Sequence, residues 1–234
     1  MSDDRRREQV RAGLEAVRER IDAARVAAGR TDEVRLVVVT KNHPASDVAL
    51  LGELAVSAVG ENRDGEARDK RAAVPGVPVR WHMIGQLQRR KAGSVARWAD
   101  VVESVDRPEL VVALDRAATA AGRRLEVLVQ VGLDLPARPD RGGVAGHDTP
   151  ALADLVAQAS ALDLRGVMGV APFPGDPHEA FARLAQVAER IRRDHPGADT
   201  ISAGMSADLE AAVVCGTTQV RIGSAVLGER SPVH

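Results

Sequence analysis

Residues 36–41 read Leu-Val-Val-Val-Thr-Lys, an aliphatic and β-branched run that ends in a polar pair. A short continuous apolar run of this kind is typical of a strand buried on both faces, as in a parallel sheet. We therefore assign the first strand to Leu36–Thr40, which places Lys41 directly after its C-terminal end. The rest of the fold depends on how often this pattern recurs.

Similar β-rich runs alternate with helical stretches along the remaining chain. Seven further candidate strands follow the first: Ala58–Gly60, Trp81–Ile84, Val101–Ser104, Leu125–Val131, Gly166–Val170, Thr200–Ser202 and Gln219–Ile222. Mostly apolar strands that alternate with helices favour a parallel sheet covered by helices. Eight repeats fit a closed barrel better than an open doubly wound sheet, which usually has about five or six strands. The sequence therefore predicts an α/β fold, a single (β/α)8 TIM-barrel domain over residues 1–234.

An extra helix is predicted before the barrel, within residues 1–30. Val10, Leu14, Val17 and Ile21 are spaced four, three and four residues apart and share one helical face, with charged residues around the rest. This apolar face could pack against the chain's own barrel or against a partner. We expect a monomer.

Local signals mark the ends of later elements. Asp176-Pro177-His178-Glu179 combines an N-cap residue, a first-turn proline and a glutamate at the third position. Ser206 is predicted to cap a helix that ends at Gly216. Gly132–His147, rich in Gly, Pro, Arg and Asp, is predicted to be a mobile loop.

The composition excludes several classes of protein. With 32 basic and 33 acidic side chains the formal net charge is −1, so a long basic face for nucleic acid has no support. The single cysteine, Cys215, excludes an internal disulfide, and its apolar neighbours indicate an inert buried thiol. There is no apolar signal segment and no apolar run near the roughly 20 residues of a membrane span. We expect a soluble cytoplasmic protein with neither nucleic-acid nor membrane partners.

The three lysines are candidates for amine chemistry because arginine supplies nearly all of the other positive charge. Lys41 follows the first strand, and the active sites of (β/α)8 barrels lie at the C-terminal ends of their strands. Its amine could form a Schiff base there, or its side chain could simply extend into solvent. Lys70 and Lys91 fall in polar helical stretches and are interpreted as solvated surface residues.

Two glycine-containing turns indicate a phosphate site. Gly204-Met205-Ser206 follows the seventh strand, and Gly223-Ser224 follows the eighth. Barrels often bind phosphate after these two strands, where glycine lets an anion approach backbone N–H groups. The alternative is a capped helix and an ordinary glycine turn.

Three polar residues stand out in or beside apolar strands. Arg221 lies inside Val220-Arg221-Ile222, where a buried guanidinium needs either a carboxylate partner or a ligand. Asn62 follows the second strand and could contact a ligand or cap a helix. His82 is interpreted as a hydrogen-bonded core residue. The six histidines show no paired ligand spacing, so no metal site is predicted.

Six short motifs together identify a family. In these segments the chain resembles the YggS/PROSC family of pyridoxal phosphate homeostasis proteins: Val38–Lys41, Gly60–Arg63, Trp81–Gln88, Gly166–Gly169, Gly204–Ser206 and Val220–Ala225. The resemblance covers nearly the whole chain after the first helix. It implies the barrel of alanine racemase (fold type III) without its second domain. It also implies pyridoxal 5′-phosphate (PLP) as cofactor, with PLP-dependent apo-enzymes as recipients.

The resemblance assigns roles around the cofactor's ring. Lys41 would be the lysine in aldimine linkage, Asn62 would lie near the phenolic oxygen, and Arg221 would face the pyridine nitrogen. A guanidinium stays charged and donates, so the nitrogen stays unprotonated and the ring is a poor electron sink. A two-base racemase of the alanine type also needs a tyrosine, and this chain has none.

The phosphate would be held by Ser206, Gly223 and Ser224. The chain departs from the family at Val59, where Phe is usual, and at Arg141-Gly142-Gly143, where a lysine-containing loop is commoner. Both departures lie outside the phosphate and lysine positions, and they concern the cavity and the loop.

We therefore expect a protein that binds PLP on Lys41 and buffers or delivers it inside the cell, without catalytic residues. Two alternatives remain open at this point. One is a PLP-dependent, racemase-like enzyme acting on amino acids. The other is an aldolase that forms a Schiff base with a sugar phosphate through the same lysine.

Overall fold

The computed structural model describes residues 3–136, 138 and 141–229. Its strands are β1 (Arg35–Val39), β2 (Ala58–Glu61), β3 (Arg80–Met83), β4 (Val101–Val105), β5 (Leu125–Val131), β6 (Leu162–Gly169), β7 (Thr200–Ser202) and β8 (Gln219–Ile222). The helices within these residues are α1 (Asp3–Ala27), α2 (Ala45–Glu53), α3 (Asp64–Ala73), α4 (Ala92–Trp98), α5 (Pro108–Ala120), α6 (Thr149–Gln158), α7 (Pro177–Asp194), α8 (Leu209–Val214) and α9 (Ser224–Leu227).

The eight strands form a closed parallel barrel. Each strand pairs with the next, and β8 pairs with β1 in the register Val38↔Ile222. The predicted (β/α)8 barrel with an N-terminal helix is confirmed. All eight predicted strands are present, and β5, β7 and β8 have the predicted bounds.

Side chains alternate between two environments along each strand. Outward-facing residues such as Val38, Val59 and Val220 join the apolar layer between strands and helices. Inward-facing positions are partly polar, because His82 and Arg221 are buried inside the barrel. The core that stabilises the fold is therefore mainly the outer layer.

Helix α1 packs against the chain's own barrel. The predicted face formed by Val10, Leu14, Val17 and Ile21 is buried, and α1 contacts α8 and α9. The approach to α9 is close, since a Cβ at Gly13 would lie 2.5 Å from the Val226 carbonyl oxygen. Among the described residues, no helix has both the length and the apolar character needed to cross a membrane.

The predicted cap at Asp176 is confirmed and the one at Ser206 is wrong. Asp176 accepts a hydrogen bond from the His178 backbone N–H at 2.8 Å at the start of α7. Ser206 lies in a turn before α8, whose N-cap residue is Asp208. The Asp208 carboxylate accepts from the Met205 N–H at 2.6 Å, and this contact sets a tight turn after β7.

The segment predicted as a mobile loop is only partly described, since residues 137, 139 and 140 lie outside the described residues. Val144 forms an isolated bridge with Val131. The Arg141 guanidinium donates to Asp134 Oδ1 at 3.0 Å and to the Ala171 carbonyl at 3.2 Å. The segment is irregular, as predicted, and its mobility stays a prediction.

Candidate functional site

The predicted site residues meet at one end of the barrel. Lys41 follows β1, Asn62 follows β2, Ser206 follows β7 and Gly223-Ser224 follows β8. These strands are neighbours in the order β7-β8-β1-β2. Parallel strands end at the same rim, so the backbone brings the candidate lysine and both glycine turns to one side of the barrel mouth.

Lys41 lies in a tight turn at the end of β1. The Thr40 carbonyl accepts a hydrogen bond from the His43 N–H at 3.0 Å, which closes a four-residue turn around Lys41 and Asn42. Asn42 has a φ of 63°, a left-handed conformation that asparagine tolerates better than most residues. Lys41 itself is half-buried.

Asn62 is held by close contact with the loop after β3. A Cβ at Gly85 would lie 2.3 Å from the Asn62 carbonyl oxygen, so only glycine allows the two backbones to approach this closely. Asn62 does not cap a helix, because α3 begins at Asp64 with Arg63 as its N-cap residue. Its half-buried side chain remains at the rim beside β1.

The turn after β7 is bonded to β8, and the turn after β8 lies against β1. The Arg221 N–H donates to the Gly204 carbonyl at 2.9 Å, and Gly204 has a φ of 92°. A Cβ at Gly223 would lie 3.0 Å from the Val39 carbonyl oxygen, which shows how closely the turn after β8 approaches β1. Ser224 is exposed and Ser206 is half-buried, with its carbonyl accepting from Arg20 at 3.0 Å.

Arg221 is buried inside the barrel and has defined partners there. Its Nη1 donates to Ser202 Oγ at 2.6 Å, and its Nη2 donates to the Gly169 carbonyl at 2.9 Å. Its nearest carboxylate is Glu103, at 3.8 Å. The sequence predicted that this arginine would need a carboxylate or a ligand, and Glu103 is such a carboxylate.

Glu103 is the centre of this polar network. Its Oε1 lies 2.6 Å from His82 Nδ1 and accepts from Gln219 Nε2 at 2.9 Å, while its Oε2 accepts from Ser202 Oγ at 2.6 Å. Burial alone would raise the pKa of the Glu103 carboxyl. The contacts with His82, Arg221 and Ser202 outweigh burial and hold this pKa below that of an ordinary glutamate.

We expect Glu103 to make stability depend on acidity. A carboxyl whose pKa is lowered by folding stabilises the fold above its unfolded pKa of about 4.3, and this contribution is lost as pH falls through the folded value. Each unit of lowering corresponds to about 1.4 kcal/mol. From about pH 5 down to about pH 3, Glu103→Gln should therefore lose less stability than the parent, as measured by urea denaturation. An equal loss in both proteins would contradict an ionised Glu103.

Sequence reasoning missed two members of the site's surroundings. Glu103 was not singled out, although a charged residue within Val101–Val105 gives the same signal that identified Arg221. Lys70, interpreted as a solvated surface residue, is instead 7% exposed, because its ammonium binds groups behind the end of β1. The scarcity of lysine was the available signal for it.

Other predictions for single residues have mixed outcomes. His82 is a buried hydrogen-bonded residue, as predicted. Lys91 is exposed, as predicted, and pairs with Asp64 at 3.3 Å. Cys215 is only half-buried, which corrects the prediction of a buried thiol. Burial nevertheless raises the pKa of this thiol, so its reactive thiolate is disfavoured.

A (β/α)8 barrel with a lysine after β1 and glycine turns after β7 and β8 defines a class of domain. Residues 13–231 match the family model described as "Alanine racemase, N-terminal domain". A curated relative from Mycobacterium tuberculosis (strain ATCC 25618 / H37Rv), named pyridoxal phosphate homeostasis protein, is 45% identical over 246 aligned positions. The alignment covers 96% of this chain and 94% of the relative. This chain belongs to the pyridoxal phosphate homeostasis protein family.

Solved structures agree with this assignment. PipY from Synechococcus elongatus PCC7942, determined with PLP bound, is 30% identical with a TM-score of 0.80, covering 94% of this chain and 100% of PipY. An unknown protein from Bifidobacterium adolescentis is 27% identical with a TM-score of 0.88, covering 97% of each chain. The barrel without a second domain is thus found in relatives of similar length.

Proposed function

We propose that this protein binds PLP through a Schiff base on Lys41 and acts in intracellular PLP homeostasis by buffering and delivering the cofactor. The observation that carries the proposal is the proximity of the turn after β8 to β1. Gly223 lies against Val39, two residues before Lys41. A small molecule with a phosphate and an aldehyde could therefore place its phosphate at Gly223 and its aldehyde at the Lys41 amine.

The chemistry of the donor groups supports PLP as that molecule. Lys41 supplies an amine for the aldehyde, and backbone amides beside Gly223 and Ser224 with the Ser206 hydroxyl suit a phosphate. Arg221 uses two of its five N–H donors on Ser202 and Gly169, so donors remain for a ring nitrogen. Asn62 lies at the same rim for the phenolic oxygen. When bound, PLP would supply an aldehyde that the Lys41 amine holds reversibly.

The same residues favour a carrier over a catalyst. A charged guanidinium beside the ring nitrogen keeps that nitrogen unprotonated, which weakens the ring as an electron sink. Burial lowers the pKa of Arg221 and the Glu103 carboxylate opposes this shift, while a guanidinium stays charged in proteins. The absence of tyrosine removes the usual second base of an alanine-type racemase.

We infer that the chain works as one domain in the cytoplasm, where PLP-dependent apo-enzymes are its recipients. The single cysteine is in keeping with a reducing compartment. A net charge of −1 gives no support to a nucleic-acid partner.

Borohydride trapping of the protein as purified tests the proposal. We expect visible absorbance that reduction removes, with a pyridoxyl group on the Lys41 peptide in mass spectrometry. A sugar fragment on Lys41 would instead identify an aldolase. Deuterium entering the α-carbon of an amino acid at a useful turnover would identify an enzyme of the racemase type. A pyridoxyl group on Lys70 or Lys91 in place of Lys41 would overturn the assignment of the lysine.

A further inference from the structure

Lys70 on α3 is buried behind the turn that carries Lys41. Its ammonium makes three hydrogen bonds, to the Thr40 carbonyl at 2.6 Å, to Glu61 Oε1 at 2.7 Å and to Glu66 Oε1 at 2.6 Å. An ammonium has three donors, so each one is used. The three partners come from the residue after β1, from β2 and from α3, and Lys70 therefore joins these parts of the chain at one point.

This cluster holds the two peptide groups on either side of Lys41. Lys70 binds the carbonyl of the peptide group before Lys41, and Glu66 accepts from the Asn42 N–H of the peptide group after it. Glu61 adds a third tie, because it accepts from the Thr40 hydroxyl at 2.6 Å. The orientations of these two peptide groups set the direction of the Lys41 Cα–Cβ bond.

The charges of the cluster match this geometry. Burial would raise the pKa of Glu66, but the hydrogen bonds from Lys70 and the Asn42 N–H outweigh it and lower this pKa. Glu66 therefore stays a carboxylate and a strong acceptor for the backbone. Burial raises the pKa of Glu61, which Lys70 and Thr40 oppose. A buried ion pair is weak evidence for a stabilising role, since apolar residues often replace one without loss of stability. Positioning of the Lys41 turn is a role that apolar residues could not fill.

We propose that Lys70 and Glu66 are positioning residues for Lys41, holding its turn so that the amine faces the cofactor site. This inference rests on the proposed function, since it assigns a task to Lys41. A lysine is needed at position 70 because its three donors reach three separate acceptors from one atom, which a planar guanidinium does not do. The pair acts on Lys41 through the backbone and touches no ligand.

The test compares Lys70→Met with Lys91→Met in cofactor-free protein. Lys91→Met is the matched control, because it also removes a lysine paired with a carboxylate on α3, but its partner is Asp64 and not Glu61 or Glu66. Timed borohydride trapping with pyridoxal 5′-phosphate measures covalent capture on Lys41. Pyridoxine 5′-phosphate, which has an alcohol in place of the aldehyde, measures non-covalent binding. Hydrogen exchange at the Asn42 amide measures the turn without any ligand.

Lys70→Met should slow capture by about tenfold or more, speed Asn42 exchange by a similar factor and leave pyridoxine 5′-phosphate affinity within about twofold. Lys91→Met should match the parent in all three. Capture at the parental rate, or equal losses of capture and affinity, would overturn the positioning role. If Lys70→Met does not fold, Glu66→Gln gives the same test, with slowed capture expected and parental capture contradicting it. A parent that captures nothing on Lys41 refutes the proposed function instead.

Discussion

Gly166→Ala is expected to prevent stable folding of the barrel. Gly166 lies in β6 beside the irregularity where β5 changes its pairing register, and its φ is 141°. A Cβ at this position would lie 1.9 Å from the Thr200 carbonyl oxygen and 2.8 Å from the Thr200 carbonyl carbon. These are backbone atoms of β7 and cannot rotate away, so the strands must separate. The cost should exceed about 4 kcal/mol, the upper range for single substitutions.

Urea denaturation followed by circular dichroism measures this effect. Gly93→Ala is a matched control in α4, because a Cβ at Gly93 has no atom within 4 Å. That substitution should raise stability by about 0.5–1 kcal/mol, since alanine favours helix more than glycine does. A parental denaturation midpoint for Gly166→Ala would refute the described contact between β6 and β7.

The strands could be predicted where both faces are buried, and β6 shows where that reasoning stops. Its second half, from Gly166, was recognised as an apolar run. Its first half was missed because the side chains of Asp163 and Arg165 lie outside the apolar core. The backbone of this half still pairs with β5, as at Asp163, which lies opposite Glu126. Asp163 binds Arg124, a contact formed only in the folded chain. Local hydrophobicity therefore predicts buried strand segments better than it predicts strand ends.

The sequence was enough to predict where the site residues lie on the strands, but not which side chains they bond to. The sequence placed Lys41 and the glycine turns at strand ends, and the barrel brings those strands together. It also indicated that Arg221 needs a partner. It did not pair Arg221 with Glu103, because the members of that network are far apart in the chain. Ser202, for example, is 99 residues from Glu103. Such pairings depend on barrel closure, which no local pattern encodes.

Gly223→Val is expected to remove most of the cofactor affinity. A Cβ at Gly223 already lies 3.0 Å from the Val39 carbonyl oxygen and 3.3 Å from Val39 Cβ, and valine adds two further carbons. The end of β8 must then move away from β1. The valine side chain blocks the approach of a phosphate to the backbone at position 223, and the movement of β8 takes this phosphate site away from Lys41. We expect a loss of more than about 100-fold, well above the effect of removing one hydrogen bond.

Ser206→Ala is the variant with which the loss of affinity in Gly223→Val should be compared. It should weaken binding by about 1–3 kcal/mol, or roughly 5- to 150-fold, because it removes one hydrogen bond to a charged group and moves no strand. Equilibrium dialysis with pyridoxine 5′-phosphate measures both variants without a covalent bond. Gly197→Val controls for the added side chain, since a Cβ there has no atom within 4 Å. If Gly223→Val and Ser206→Ala, both folded, bind like the parent, the phosphate does not lie after β7 and β8. Lys41 would then have to hold a ligand whose anionic end is bound elsewhere on the rim.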